Sequence, residues 1–268
     1  MAITTIEGAI GPRRPTEYIE KFTTGGIETV GLGHSFWYVV GRPTAATANA
    51  SGVAGATCVT PLAGQIPREN PTSGNAYLAD FHMCADQVCT VVLVDRLWHN
   101  SGLSVTSTSG QTVDSVTLPA RDTNGSTNGE GVMCAVEWST GAGAGAPNLT
   151  LSYTDQSGNA GATTPNLVAD DGANAGTFEI FSLAAGDTGI RSIQTYTASA
   201  TRTSGAFHLV MFRVLAMLEV PQIFSPSGID AFTSGFVRLY DGTVPFFYII
   251  PTSTANTIAM GSYQEVQG

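Results

Sequence analysis

Along residues 76–220 apolar and polar positions alternate with a period of two, and clusters of Gly, Asn, Asp and Ser interrupt the alternation at short intervals. That is the pattern of β-strands joined by turns. LTLSYT puts Leu149, Leu151 and Tyr153 on one face and Thr150, Ser152 and Thr154 on the other. GVMCAVEW groups Val132, Cys134, Val136 and Trp138, with Met133 and Glu137 opposite. VCTVVLV (88–94) is apolar on both faces, which predicts a central strand. TFEIFSL, IRSIQTYT and AFHLVMFRV continue the series, and NGSTNGEG, STGAGAGAPN, DQSGNAG, DDGANAG and AAGDTG supply turns. The pattern predicts an all-β fold, an antiparallel β-sandwich of jelly-roll type with about eight strands in residues 76–220.

The flanks read differently. Residues 1–75 are dominated by Gly, Pro, Ala and Thr and read as an extended N-terminal arm with one short helix and one strand. PTEYIEKFTTGG predicts the helix, with Pro15 near its first turn, Glu17 and Glu20 early, and Gly25-Gly26 as the stop. SFWYVV (35–40) predicts the strand, and residues 41–75 are too rich in breakers for a core element. Residues 221–268 read as a C-terminal β segment packing on the core or on a neighbouring subunit, with the runs FVRLY and VPFFYII. Pro245 and Pro251 bracket the second run, which predicts an edge strand or a subunit contact through Phe246, Phe247 and Tyr248. Arg191 and Arg213, each inside an apolar strand, are further subunit-contact candidates, pairing acids such as Asp95, Asp187 or Glu219 across a boundary.

Composition sharpens this. Only 12% of residues are charged, where a soluble domain usually has roughly 25%. A surface so poor in charge does little to keep copies apart, which implies self-association. The net charge of −10 disfavours nucleic acid, since phosphate contacts need a positive field. The start, MAITTIEGAIGPRRP, lacks a signal-peptide core, and no apolar run reaches the length of a membrane span. The expectation is a protein made in a cytoplasm, with no membrane partner and no cofactor.

Candidate chemistry centres on DRLWHNSG (95–102). An enzymatic reading makes His99 a base oriented by Asp95, with Ser101 as nucleophile, but no G-x-S-x-G elbow accompanies it. The structural reading makes Asp95, Arg96, Trp98 and His99 a corner, with Asp95 and Arg96 paired and Asn100-Ser101-Gly102 as the turn. We adopt the structural reading and expect no catalytic residues. RDTNGSTNGEG places Asp122, Asn124, Ser126, Asn128 and Glu130 at alternate positions, a candidate calcium loop, although Thr127 stands where an EF-hand loop needs glycine. Cys58, Cys84, Cys89 and Cys134 form no CxxC pair and read as free thiols, since a zinc site from His82, Cys84 and Cys89 lacks a fourth ligand. His208, between apolar neighbours, reads as a buried, hydrogen-bonded histidine.

Residues 95–138, followed by LTLSYTDQSGNAG and AAGDTGIRSIQTYTASATRTSGAFHLVMFRVLA, resemble a family of virion structural proteins of tailed bacteriophages. The resemblance covers about residues 85–220 and extends loosely to MAITTIEGAIG and GTVPFFYIIPTST; LWHNSG and LPARDTNGSTNGEGV are its most specific pieces. It implies a virion component assembled in the host bacterial cytoplasm and supplies no catalytic residues. The acidic balance argues against a surface facing packaged DNA, and no long helix of a shell-forming subunit is present in the pattern. The expectation is therefore an outer cement or decoration protein, a homotrimer whose partner is the major capsid protein of the same phage. A tail, collar or baseplate subunit is the alternative, followed by a carbohydrate-binding receptor module.

Overall fold

The computed structural model describes residues 13–24 and 28–268. Short strands β1 (Glu17–Phe22), β2 (Gly33–Ser35), β3 (Gly41–Arg42) and β4 (Ala56–Thr57) precede the long β5 (Ala76–Ala85) and β6 (Cys89–His99). Next come β7 (Gln111–Thr112), β8 (Val132–Thr140), β9 (Asn148–Asp155), β10 (Ala160–Thr163), β11 (Leu167–Val168) and β12 (Thr177–Ile180). β13 (Ile190–Ala198) and β14 (Ala206–Val220) lead to β15 (Ser227–Asp230), a one-turn helix α1 (Ala231–Ser234), β16 (Arg238–Leu239), β17 (Pro245–Pro251) and β18 (Ile258–Gln267). Every strand pairing is antiparallel.

A closed barrel forms the middle layer. Its ring runs β14-β8-β12-β2-β17-β6 and closes because β14 pairs with β8 through residues 206–213 and with β6 through residues 210–220. With 15 residues, β14 is long enough to serve two neighbours at staggered heights, spanning about 50 Å. A second sheet, β15-β5-β18-β1-β3 with β16 beside β5, covers one side of the barrel. A third, β10-β9-β13-β7 with β11 beside β9, covers the other. The strand alternation fills three cores. Val132, Cys134, Val136 and Trp138 of β8 face Leu149, Leu151 and Tyr153 of the third sheet, as the pattern predicted. Val91 and Leu93 of β6, with Phe247 and Ile249 of β17, face Phe81 and Met83 of the second sheet. Val92, Val94, Phe178, Phe212, Phe246 and Tyr248 fill the barrel. The fold is thus an all-β sandwich of jelly-roll type, and β6 is its central strand.

Three local expectations are corrected. Residues 17–22 form β1, not a helix: Ile19 and Lys21 are buried while Tyr18, Glu20 and Phe22 are exposed, a period of two imposed by six paired positions along β18. The expected helix stop, Gly25-Gly26, lies outside the described residues. SFWYVV contributes only Ser35 to a strand; the chain then turns through Val39 N–H donating to the Phe36 carbonyl, so that Phe36 stacks on Phe247 and Trp37 packs on Phe246. VPFFYII is an interior strand between β2 and β6, and Phe246, Phe247 and Tyr248 are covered by their own chain, not by a neighbour. Pro245 and Pro251 occupy its two end positions, where a missing N–H leaves the ladder between them intact.

The breaker-rich segment 41–75 lies on its own protomer: Cys58 N–H donates to Leu97, Ile66 N–H to Pro245, and Arg68 pairs with Glu265. The C-terminal residues are equally integral, since β18 lies between β1 and β5. Deleting residues 258–268 is expected to abolish cooperative folding; a truncated chain that keeps a sharp thermal transition would show that β18 is dispensable. Phe247→Ala, in the core between two sheets, is expected to cost about 3–5 kcal/mol in urea unfolding.

Candidate functional site

The residues singled out in DRLWHNSG lie inside β6, and the turn starts after it. A bulge decides where each side chain goes. Met211 pairs with Trp98 but the next residue, Phe212, pairs with Arg96, so Leu97 is the extra residue. Before it, Val92, Val94 and Arg96 face the barrel interior; after it, Trp98 joins the core beneath the third sheet and His99 faces inward again.

Arg96 is fully buried and organises the barrel's polar centre. Its Nη2 donates to Glu137 Oε2 at 2.6 Å and its Nε to His99 Nδ1 at 3.1 Å. The guanidinium lies over the Trp37 ring at 4.4 Å and the Phe246 ring at 5.3 Å. Ser35 Oγ donates to the other Glu137 oxygen at 2.5 Å. His208 Nδ1 donates to the Asn100 carbonyl at 2.6 Å, and Asn100 Oδ1 accepts from Leu209 N–H, which ties β14 to the turn after β6. Burial lowers the His208 pKa, pushes His99 down to about 2 with Arg96 as the second cause, and pushes His34 down to about 4.

Asp95 and Arg96 do not pair, because neighbours on a strand point to opposite faces. Asp95 accepts from Val244 N–H at 2.8 Å and lies 3.4 Å from Arg121 and 3.7 Å from Arg213. Arg213 thus meets Asp95, as expected of the residue types, but within one chain. Arg121 also donates to the carbonyls of Cys58, Arg96 and Gly242, clamping three segments. Arg191 is exposed on β13. The Asp95–His99 arrangement required by the enzymatic reading is not formed.

In the candidate calcium loop, Asp122 is buried and its carboxylate accepts from the N–H groups of Asn124, Ser126, Gly129 and Glu130 and from Ser126 Oγ. Burial raises its pKa, the hydrogen bonds led by those from Ser126 lower it, and the balance is a lowered value. The loop is folded around its own carboxylate, with Asn124 and Asn128 exposed. Among the described residues no group of three His, Cys, Asp or Glu is arranged to hold a metal. The four cysteines are free, three of them buried. Glu137 and Arg121 are the residues that sequence reading missed. For Glu137 the available signal was a glutamate flanked by apolar positions on both faces of a strand, with Arg96 in an equally apolar strand; Arg121 lies outside the strands and offered none.

A scan against protein-family models and a search of curated proteins both find no match. A search of solved structures finds the infectious bursal disease virus VP2 subviral particle, at 9% identity over 96% of this chain and 80% of that one, with a TM-score of 0.20. That overlap is too slight to carry over fold or role.

Two predictions follow from the buried network. Glu137→Leu or Arg96→Met alone strands its partner's charge and is expected to cost about 3–5 kcal/mol, while the double replacement recovers most of it. Denaturant midpoints of the four proteins test this, and additive losses would refute it. Neither ring nitrogen of His34 has a hydrogen-bond partner among the described residues. The unfolded chain takes up a proton near 6.5 and the folded one only near 4, so stability present above pH 6.5 is lost between those values, by about 3 kcal/mol. Urea midpoints measured across that window should fall with pH, and less steeply in His34→Gln.

Proposed function

We propose that this chain is a structural component of a virus particle, an outer cement or decoration protein of a tailed-phage head that bridges capsomers as a homotrimer. The observation that carries the reading is where the charges are. Of eleven Lys and Arg side chains, Lys21, Arg96, Arg121, Arg202 and Arg213 are buried. The exterior stays as poor in charge as the composition, while Val168, Met217, Ile223 and Phe232 are each at least 60% exposed. Such a surface favours contact with other subunits over free solution. The resemblance to phage virion proteins supports the same reading, and the burial of Trp37, Trp98 and Trp138 removes the aromatic platform a sugar-binding module would use.

Sedimentation of the purified protein, alone and mixed with shells of its phage that lack it, tests the proposal. A trimer that binds the shells saturably is the expected result. A species that ignores them overturns the head assignment and favours the tail, collar or baseplate.

A further inference from the structure

One sheet edge is left open beside a groove. β1 is bordered on one side by β18 along its whole length, but on the other side β3 pairs only with Glu20 and Lys21. Pro43, which has no N–H, directly follows β3. From Glu17 to Ile19 the outer edge of β1, and before it the chain from Arg14, have no strand beside them among the described residues. A groove of about 990 Å³ lies at this stretch, with Arg14, Pro15, Arg42, Pro61, Leu62 and Tyr263 among its lining residues. An unpaired backbone edge beside a largely apolar groove is the geometry that takes up an added strand.

We infer that this edge is occupied by residues 2–6 of a second copy of the chain. The chain before Arg13 has the right chemistry: Ala2-Ile3-Thr4-Thr5-Ile6 contains four successive β-branched residues and no charge. Glu7 is the one charged side chain in residues 1–12, and Arg42, exposed on the groove wall, makes no ion pair among the described residues. Direction favours exchange between copies. Arg13 bridges to Val266 and Arg14 N–H donates to the Glu265 carbonyl, so at residue 13 the chain still runs antiparallel to β18, which ends at Gln267. At Arg13 the chain therefore points towards the end of β18 and not back along the outer edge of β1. Twelve residues reach up to about 40 Å, enough to enter a neighbour's groove. The inference concerns pairing of copies in solution and does not rest on the virion reading.

The test uses the full chain in a Cys84→Ser background, which removes the one cysteine that is not buried. Ile6→Cys and Thr44→Cys variants are mixed and treated with a flexible bismaleimide, which tolerates a small error in register. Crosslinked dimer is expected in the mixture and not in either variant alone. A chain lacking residues 2–12 is expected to lose self-association in sedimentation while keeping its thermal transition. A mixture without crosslinks, or a double variant that closes only within one molecule, overturns the inference; so does a truncated chain whose association is unchanged. Shells enter no arm of this experiment, so its failure is distinct from failure to bind a head.

Discussion

The arrangement of this molecule depends on one buried ion pair inside a closed barrel. Arg96 and Glu137 lie on β6 and β8, strands that do not pair with each other but flank β14 in the ring. Their contact crosses the barrel interior, and it forms only if both ladders of β14 hold their register. A slip of one residue in either ladder would turn a charge onto an apolar face. An apolar pair of the same volume would pack there without strain and with less desolvation cost. What the ion pair adds is discrimination: stacking on Trp37 and Phe246 and the hydrogen bonds to Ser35 and His99 are satisfied together in one register.

The bulge at Leu97 extends that discrimination to the outer layers. In a regular ladder Trp98 would follow Arg96 into the barrel; with the bulge, the indole fills the core beneath the third sheet and donates to the Ala54 carbonyl, holding the 50s segment against β6. On the same outer face of the strand Asp95 gathers Arg121 and Arg213, and Arg121 binds three carbonyls from separate segments. One strand of eleven residues thus sets the positions of barrel, covering sheets and connecting loops. Of the segments that looked peripheral, 41–75 docks on it through β4 and 221–268 through β17, while β15, β16 and β18 dock on β5.

Strands with strict alternation were legible in the sequence, since one face of each is covered by a neighbouring layer and the other is not; β9 is the clearest case. The all-β architecture followed from them. Residues 17–22 misled because six residues carry too little periodicity to separate helix from strand, and only pairing with β18 decides. Phe246, Phe247 and Tyr248 misled because prolines at the two ends of a strand look, in sequence, like prolines that break a ladder. The partners of Asp95 and Arg96 were not legible at all: they depend on a bulge and on barrel closure, both of which are long-range facts. Asp122 shows a different limit. Alternating oxygen side chains describe a cation loop and a self-capped loop equally well, and the direction of the backbone N–H groups separates them.

The placement of charge links the interior to the exterior. A barrel closed on itself has no edges, so the open edges of this protein belong to its covering sheets, where β3, β7 and β15 are short. Short edges limit unwanted strand addition. Cations sequestered in the interior serve to fix one register, and acids such as Asp95 and Glu137 are buried with them, so charges of both signs are spent inside a chain that has few to begin with. The same distribution that gives the fold its uniqueness therefore leaves an exterior on which apolar side chains, and the one open stretch of β1, determine what the molecule touches.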